Sequence, residues 1–172
     1  MATRTVTMKG KPVTLSGAEV KAGDKAPDFE AVDTGLAPAR LSSFKGAVVV
    51  LCAVPSLDTP VCDVEMRRFN AEAANLGPDV KIVCLSMDLP FAQKRWCGAA
   101  NASAVVTLSD HRSASFGKAY GVLIEDLRLL ARAVFVVDRG GVVRHAQIVP
   151  EIATEPDYQA ALAAVKEAAY GH

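Results

Sequence analysis

Val48-Val49-Val50-Leu51-Cys52-Ala53-Val54, followed at once by Pro55-Ser56-Leu57-Asp58-Thr59-Pro60-Val61-Cys62, is the stretch that decides the fold. The run from Ala47 to Val54 is apolar without interruption, the pattern of a central strand covered on both faces, and such a sheet needs helices above and below it. Proline ends the run. Thr59 is then a favoured helix N-cap and Pro60 a favoured first helical residue, which makes Val61 the second residue and Cys62 the third. A capping box carries Glu at that third position, facing the orphan amides and the positive end of the helix dipole. Here a cysteine occupies it, and such a field pushes a thiol toward the nucleophilic thiolate.

Working outward, the chain predicts an alternation of strands and helices. Thr5-Val6-Thr7-Met8 and Pro12-Val13-Thr14-Leu15 flank Lys9-Gly10-Lys11 and predict a β-hairpin over about residues 3–16. Asp28 to Asp33 reads as a short, half-exposed strand. From Pro60 a helix runs to Gly77-Pro78, with Val61, Val64, Phe69, Ala73 and Leu76 on one face and Glu65, Arg67, Arg68 and Glu72 on the other. Lys81 to Ser86 reads as a second buried strand. A short helix follows from Asp88-Leu89-Pro90 through Trp96 to Cys97, stopped by Gly98. Val105 to Leu108 is a third strand and Ser113 to Tyr120 a third helix, closed by Gly121. Ala133–Val137 and Val142–Ile148 flank Asp138-Arg139-Gly140-Gly141 as a hairpin, and a last helix spans Asp157 to about Ala169. The expected fold is α/β: a central mixed sheet flanked by helices, with an extra N-terminal hairpin. No repeat or linker divides the chain, so residues 1–172 are expected to form one domain.

The composition narrows the function. The sequence has 172 residues, 51% of them hydrophobic, and 19 Lys+Arg balance 19 Asp+Glu. That balance gives no electrostatic footprint for nucleic acid or an anionic membrane. The first residues contain no apolar signal-peptide core, and no segment approaches the roughly 18 apolar residues of a membrane span. A cytoplasmic location is expected. The cysteines at 52, 62, 84 and 97 contain no Cys-x-x-Cys pair, and His111, His145 and His172 do not complete a zinc set.

Cys62 is the strongest candidate for chemistry, since it lies on a loop leaving the carboxyl end of a buried strand, where open α/β sheets place their sites. Cys97 reads either as filler of an amphipathic helix or as a thiol on a short helix that opens cheaply. Cys52 and Cys84 sit within strand runs and read as core. Arg132, at the mouth of a buried strand, is either a surface salt bridge at a strand end or a fixed cation facing a thiolate. Cys62 and Arg68 satisfy Cys-x5-Arg, the spacing of tyrosine-phosphatase loops, but the intervening residues contain no glycine and two carboxylates that would repel a phosphate. A Cys-His hydrolase using His111 or His145 lacks anything to orient the base.

Pro55-x-x-x-Thr59-x-x-Cys62 matches the active-site motif of the peroxiredoxins, and the fuller string Pro-Ser-Leu-Asp-Thr-Pro-Val-Cys resembles their bacterial thiol peroxidase branch. The N-terminal hairpin, Gly23-x-x-Ala26-Pro27-x-Phe29, the Cys62 to Cys97 spacing, Ala131 to Asp138 and Glu151 to Tyr158 extend the resemblance over nearly the whole chain. It implies a thioredoxin-like fold and reduction of hydrogen peroxide and organic hydroperoxides. In that family Cys62 would be the peroxidatic cysteine and Cys97 the resolving one, closing a 62–97 disulfide that thioredoxin reduces. Thr59 would hydrogen-bond the peroxide or the thiolate, Pro55 would shield the pocket, and Arg132 would hold the thiolate and polarise the peroxide. The family implies a homodimer and requires no metal or organic cofactor. The contrasting reading is a redox-sensing module of the same fold that forms the disulfide once and waits.

Overall fold

The computed structural model describes residues 4–73 and 75–170; Thr3, the first residue of the expected hairpin, and His172 lie outside them. The N-terminal hairpin pairs β1 (Arg4–Met8) with β2 (Lys11–Leu15) in antiparallel register. It is fastened to the body by Thr7 N–H to the Pro150 carbonyl at 2.7 Å and Ser16 N–H to the Leu123 carbonyl at 2.8 Å. Two short strands follow, β3 (Glu30–Val32) and β4 (Pro38–Arg40), then the run at 47–54, which forms β5 (Val48–Ala53) with every residue buried.

From there strands and helices alternate: α1 (Pro60–Ala73), β6 (Val80–Ser86), α2 (Pro90–Ala100), β7 (Val105–Ser109) and α3 (Ser115–Tyr120). A small ribbon, β8 (Leu123–Ile124) with β9 (Leu129–Leu130), precedes the hairpin of β10 (Ala133–Val137) and β11 (Val143–Ile148), and α4 (Tyr158–Tyr170) closes the fold. The main sheet runs β11-β10-β5-β6-β7-β3-β4. Strands β5, β6 and β7 are parallel, each joined to the next by a helical crossover, whereas β10 joins β5 antiparallel. This is the expected mixed α/β sheet with helices on both faces.

Alternation along the central strands sorts their side chains between two cores. Val49, Leu51, Ala53, Val83, Leu85 and Phe135 face one, with Phe116 and Tyr120 of α3. Val50, Cys52, Ile82, Cys84, Val134 and Val136 face the other, with Cys62, Met66 and Phe69 of α1 and Val165 of α4. Cys62 therefore belongs to the core beneath α1, next to the carboxyl ends of β5 and β6.

Three local expectations are corrected. The Gly98 stop is overridden: α2 continues through Gly98 and ends at Asn101, in the left-handed region at φ 55°, so Cys97 lies inside the helix. Asp88 does not open α2, whose N-cap is Leu89. Strands β4, β8 and β9 are too short to leave a periodic signal. The face assignment of α1 is also displaced, since Val64 is 51% exposed and Glu65 fully buried. Residues three and four apart share a helix face, so Cys62, Glu65, Met66 and Phe69 form the buried stripe.

Candidate active site

Cys62 occupies the first turn of α1, whose first intrahelical bond runs from Asp63 N–H to the Thr59 carbonyl at 3.0 Å. Thr59 thus has the backbone role of a cap, but its hydroxyl donates backward to the Ser56 carbonyl at 2.9 Å and tightens the loop. Pro55 is buried, as is Cys62, which has no exposed surface.

The Cys62 turn is also tied to the elements around α2. Asp88 accepts from the Ser56 hydroxyl at 2.7 Å, the Leu57 amide at 2.9 Å and the Ser86 hydroxyl at 2.7 Å. Beyond the cysteine, Asp63 accepts from the Trp96 indole N–H at 2.8 Å and from Arg67 at 2.9 Å.

Arg132 precedes β10 and is 1% exposed. Its Nε donates to the Ile152 carbonyl at 2.7 Å and a terminal nitrogen donates to Glu65 at 3.0 Å. Burial opposes the guanidinium charge, but the neighbouring Cys62 and Glu65 outweigh it and raise the Arg132 pKa. Its hydrogen-bond partners among the described residues are the Glu65 carboxylate and the Ile152 carbonyl. Of the two sequence readings of Arg132, the surface salt bridge is excluded, because both partners are out of water.

Glu65 escaped the sequence reading because the helix register was anchored on Val61 and Val64. Anchoring it on Cys62 and Phe69 exposes the signal, since Glu65 stands three residues after one and four before the other. Burial raises its carboxyl pKa to about 7 against the pull of Arg132, and its second oxygen, Oε2, has no partner among the described residues. Because the folded pKa lies above the ordinary 4.5, the folded state binds the extra proton between about pH 4.5 and 7 and loses stability as pH rises through that window. Glu65→Gln is expected to flatten this decline. Urea midpoints of the two proteins at pH 5 and pH 8 check it, and an equal drop in both would contradict it.

Cys97 is half-buried, with its sulfur 3.7 Å from the Thr107 hydroxyl on β7. It lines a cleft of about 390 Å³ with Lys94, Ser103 and Thr107. Cys52 and Cys84 are register partners on β5 and β6, and burial pushes both thiols well up, as inert core cysteines require. All four cysteines are free thiols. Arg68 stacks 4.4 Å over the Tyr158 ring and lies 4.0 Å from Glu72, so its described partners are not those of a phosphate loop around Cys62. A cavity of about 570 Å³ lies between Lys25–Asp28, Phe44–Ala47 and the β10–β11 turn, and none of the site residues lines it. No group of three or more His, Cys, Asp or Glu side chains is placed to hold a metal among the described residues, and no described helix is long and apolar enough to cross a membrane.

The profile of the Redoxin family matches residues 21–162. The chain belongs to that family. Within it, this redoxin is 53% identical to the thiol peroxidase of Halalkalibacterium halodurans, over 95% of this chain and 98% of the relative. It is also 53% identical to the thiol peroxidase of Bacillus subtilis, over 94% and 96%. A peroxiredoxin-like protein from Aquifex aeolicus superposes with a TM-score of 0.89 at 46% identity, covering 95% of this chain and 96% of that one. The thiol peroxidase from Chromobacterium violaceum shares the fold, with a TM-score of 0.84 at 23% identity over 95% of both chains. The redoxin is thus an enzyme of the thiol peroxidase class, on a thioredoxin-like peroxiredoxin fold.

Proposed function

We propose that this chain is a single-domain, thioredoxin-dependent peroxidase that reduces hydrogen peroxide and organic hydroperoxides through Cys62 and Cys97. The observation that carries the reading is a fully buried thiol in the first turn of α1, with the buried guanidinium of Arg132 paired to Glu65 on the same buried stripe of that helix. Cys62 as thiolate attacks the nearer peroxide oxygen. The O–O bond breaks, the sulfur becomes a sulfenic acid, and the leaving oxygen takes a proton and departs as water or an alcohol. Negative charge grows on that oxygen, so a fixed cation and the amides of a helix N-terminus are suitable stabilisers. Arg132 supplies the cation, Thr59 hydrogen-bonds the peroxide from the loop, and Pro55 keeps water from the thiol.

Cys97 then attacks the sulfenic sulfur. An S–S bond forms, the S–O bond breaks, and the thiol proton leaves with the hydroxyl as water. A thioredoxin dithiol exchanges with the disulfide and restores both thiols. Assembly as a homodimer and a cytoplasmic location belong to the same reading, which draws on the resemblance of the sequence for both. The bound groups this chemistry requires are the peroxide and the reductant alone.

The test is steady-state consumption of hydrogen peroxide and cumene hydroperoxide with thioredoxin, its reductase and NADPH. Wild type is expected to cycle with both peroxides. Cys97→Ser is expected to consume one equivalent of peroxide and then stop, with thioredoxin-linked turnover lost. Undiminished cycling by Cys97→Ser would remove Cys97 from the mechanism, and a wild type that stops after one equivalent would favour a sensor.

A further inference from the structure

Cys62 is held from both sides by the segment that carries Cys97. Before it, Asp88 clasps the Ser56 hydroxyl and the Leu57 amide, and Asp88 lies two residues ahead of α2. After it, Asp63 accepts the indole N–H of Trp96, the residue immediately before Cys97. A third tie, Arg95 to Asp58 at 3.3 Å, is exposed on both sides and holds little. The far end of the bracket is firm, because buried Gln93 of α2 donates to the Ser86 hydroxyl and the Leu108 carbonyl at 3.1 and 2.9 Å.

The two thiols border one core. Cys62 lies wholly inside it beneath α1, whereas Cys97 packs against its edge from within α2, with its sulfur on Thr107. A disulfide requires the two Cα atoms within about 7 Å and the Cβ atoms turned toward each other. Cys62 is fixed in the first turn of α1 and Cys97 within α2, and both are free thiols, so forming the bond draws on release of the Cys62 turn, the Cys97 half of α2, or both. Unwinding the turn pulls on Leu57 and Asp63, and unwinding α2 pulls on Trp96. Either route breaks the indole bond.

We propose that Trp96, through Asp63, and Asp88, through Ser56 and Leu57, are positioning residues that bracket the Cys62 turn and set how fast Cys62 and Cys97 meet. This rests on the 62–97 disulfide of the proposed function. The bracket touches no peroxide; it acts on the second step, in which the sulfenic acid either condenses with Cys97 or meets another peroxide and is oxidised to sulfinic acid. A tight bracket lengthens the life of the sulfenic acid and raises the sulfinic fraction at high peroxide.

Rapid mixing with one equivalent of hydrogen peroxide, followed by acid quench, alkylation and mass analysis, separates the peroxide-dependent loss of the Cys62 thiol from the first-order formation of the disulfide. Trp96→Phe keeps an aromatic ring and removes only the indole donor. It is expected to speed disulfide formation about tenfold, the scale of one hydrogen bond to a charged group. Its first step is expected to stay within about twofold, and its sulfinic fraction under excess peroxide to fall. Asp63→Ala and Asp63→Asn both remove the charge beside Cys62, but only the amide keeps an acceptor for the indole. The alanine variant is expected to match Trp96→Phe, and the asparagine variant to stay nearer wild type. An unchanged or slower disulfide step in Trp96→Phe and Asp63→Ala would overturn the bracket, as would a lower Tm without a faster step. A wild type whose Cys62 is oxidised yet forms no disulfide with Cys97 would instead overturn the reading on which the bracket rests.

Discussion

Cys62→Ser is expected to consume hydroperoxide no faster than buffer containing thioredoxin and its reductase, a loss of at least about a thousandfold, the scale of removing a nucleophile that acts as part of a unit. A serine hydroxyl is not ionised at neutral pH and is a far weaker nucleophile than a thiolate. The other thiols offer no substitute. Cys52 and Cys84 are buried with their pKa values pushed well up, and Cys97 rests against Thr107. The substitution removes little volume at a fully buried position, so the variant is expected to stay folded. NADPH oxidation in the coupled assay, with the thermal melt as a control for folding, reads both effects. Cycling by the serine variant at the wild-type rate would remove Cys62 from the chemistry.

Arg132→Ala carries the second large effect, and it is double. Truncation leaves Glu65 buried without its counterion and opens a void where a long side chain lay, so a destabilisation of about 3–5 kcal/mol is expected. Peroxide reduction is expected to fall about a hundredfold or more, the scale of losing one donor aimed at developing negative charge. Stability and rate separate in a double variant, Arg132→Met with Glu65→Leu, in which an apolar pair replaces the ion pair. Such replacements in cores are often neutral or stabilising, so the fold is expected to recover while the rate stays low. Recovery of both would make Arg132 a structural residue alone.

The sequence carried much of this arrangement because the central features are local. An apolar run broken by proline, then Thr59-Pro60 three residues ahead of a cysteine, specifies a buried strand, a loop and a helix start without reference to the rest of the chain. The hairpins at Lys9-Gly10-Lys11 and at 138–141 were legible for the same reason, each announced by its turn. What escaped depends on contacts across the chain. Glu65 lies at a helical interval from Cys62, but its burial against Arg132 joins residues 67 positions apart. Asp88 looks like a helix-opening residue and becomes a clasp only because β6 delivers it beside the loop after β5, 31 positions from the Leu57 amide. The Thr59 hydroxyl turned back to Ser56 because that carbonyl lies within reach in the folded loop, a choice that capping preference does not settle. Gly98 is tolerated within α2 because a single glycine costs a helix only about 1 kcal/mol.

The central claim is that Cys62 takes the peroxide and Cys97 resolves it. Peptide mass mapping after one equivalent of hydrogen peroxide, with free thiols blocked, tests it most directly. The expected product is a single cross-linked species joining the peptides of Cys62 and Cys97, lighter by two hydrogens, with Cys52 and Cys84 alkylated. Oxidation of another cysteine while Cys62 remains a free thiol would contradict the account.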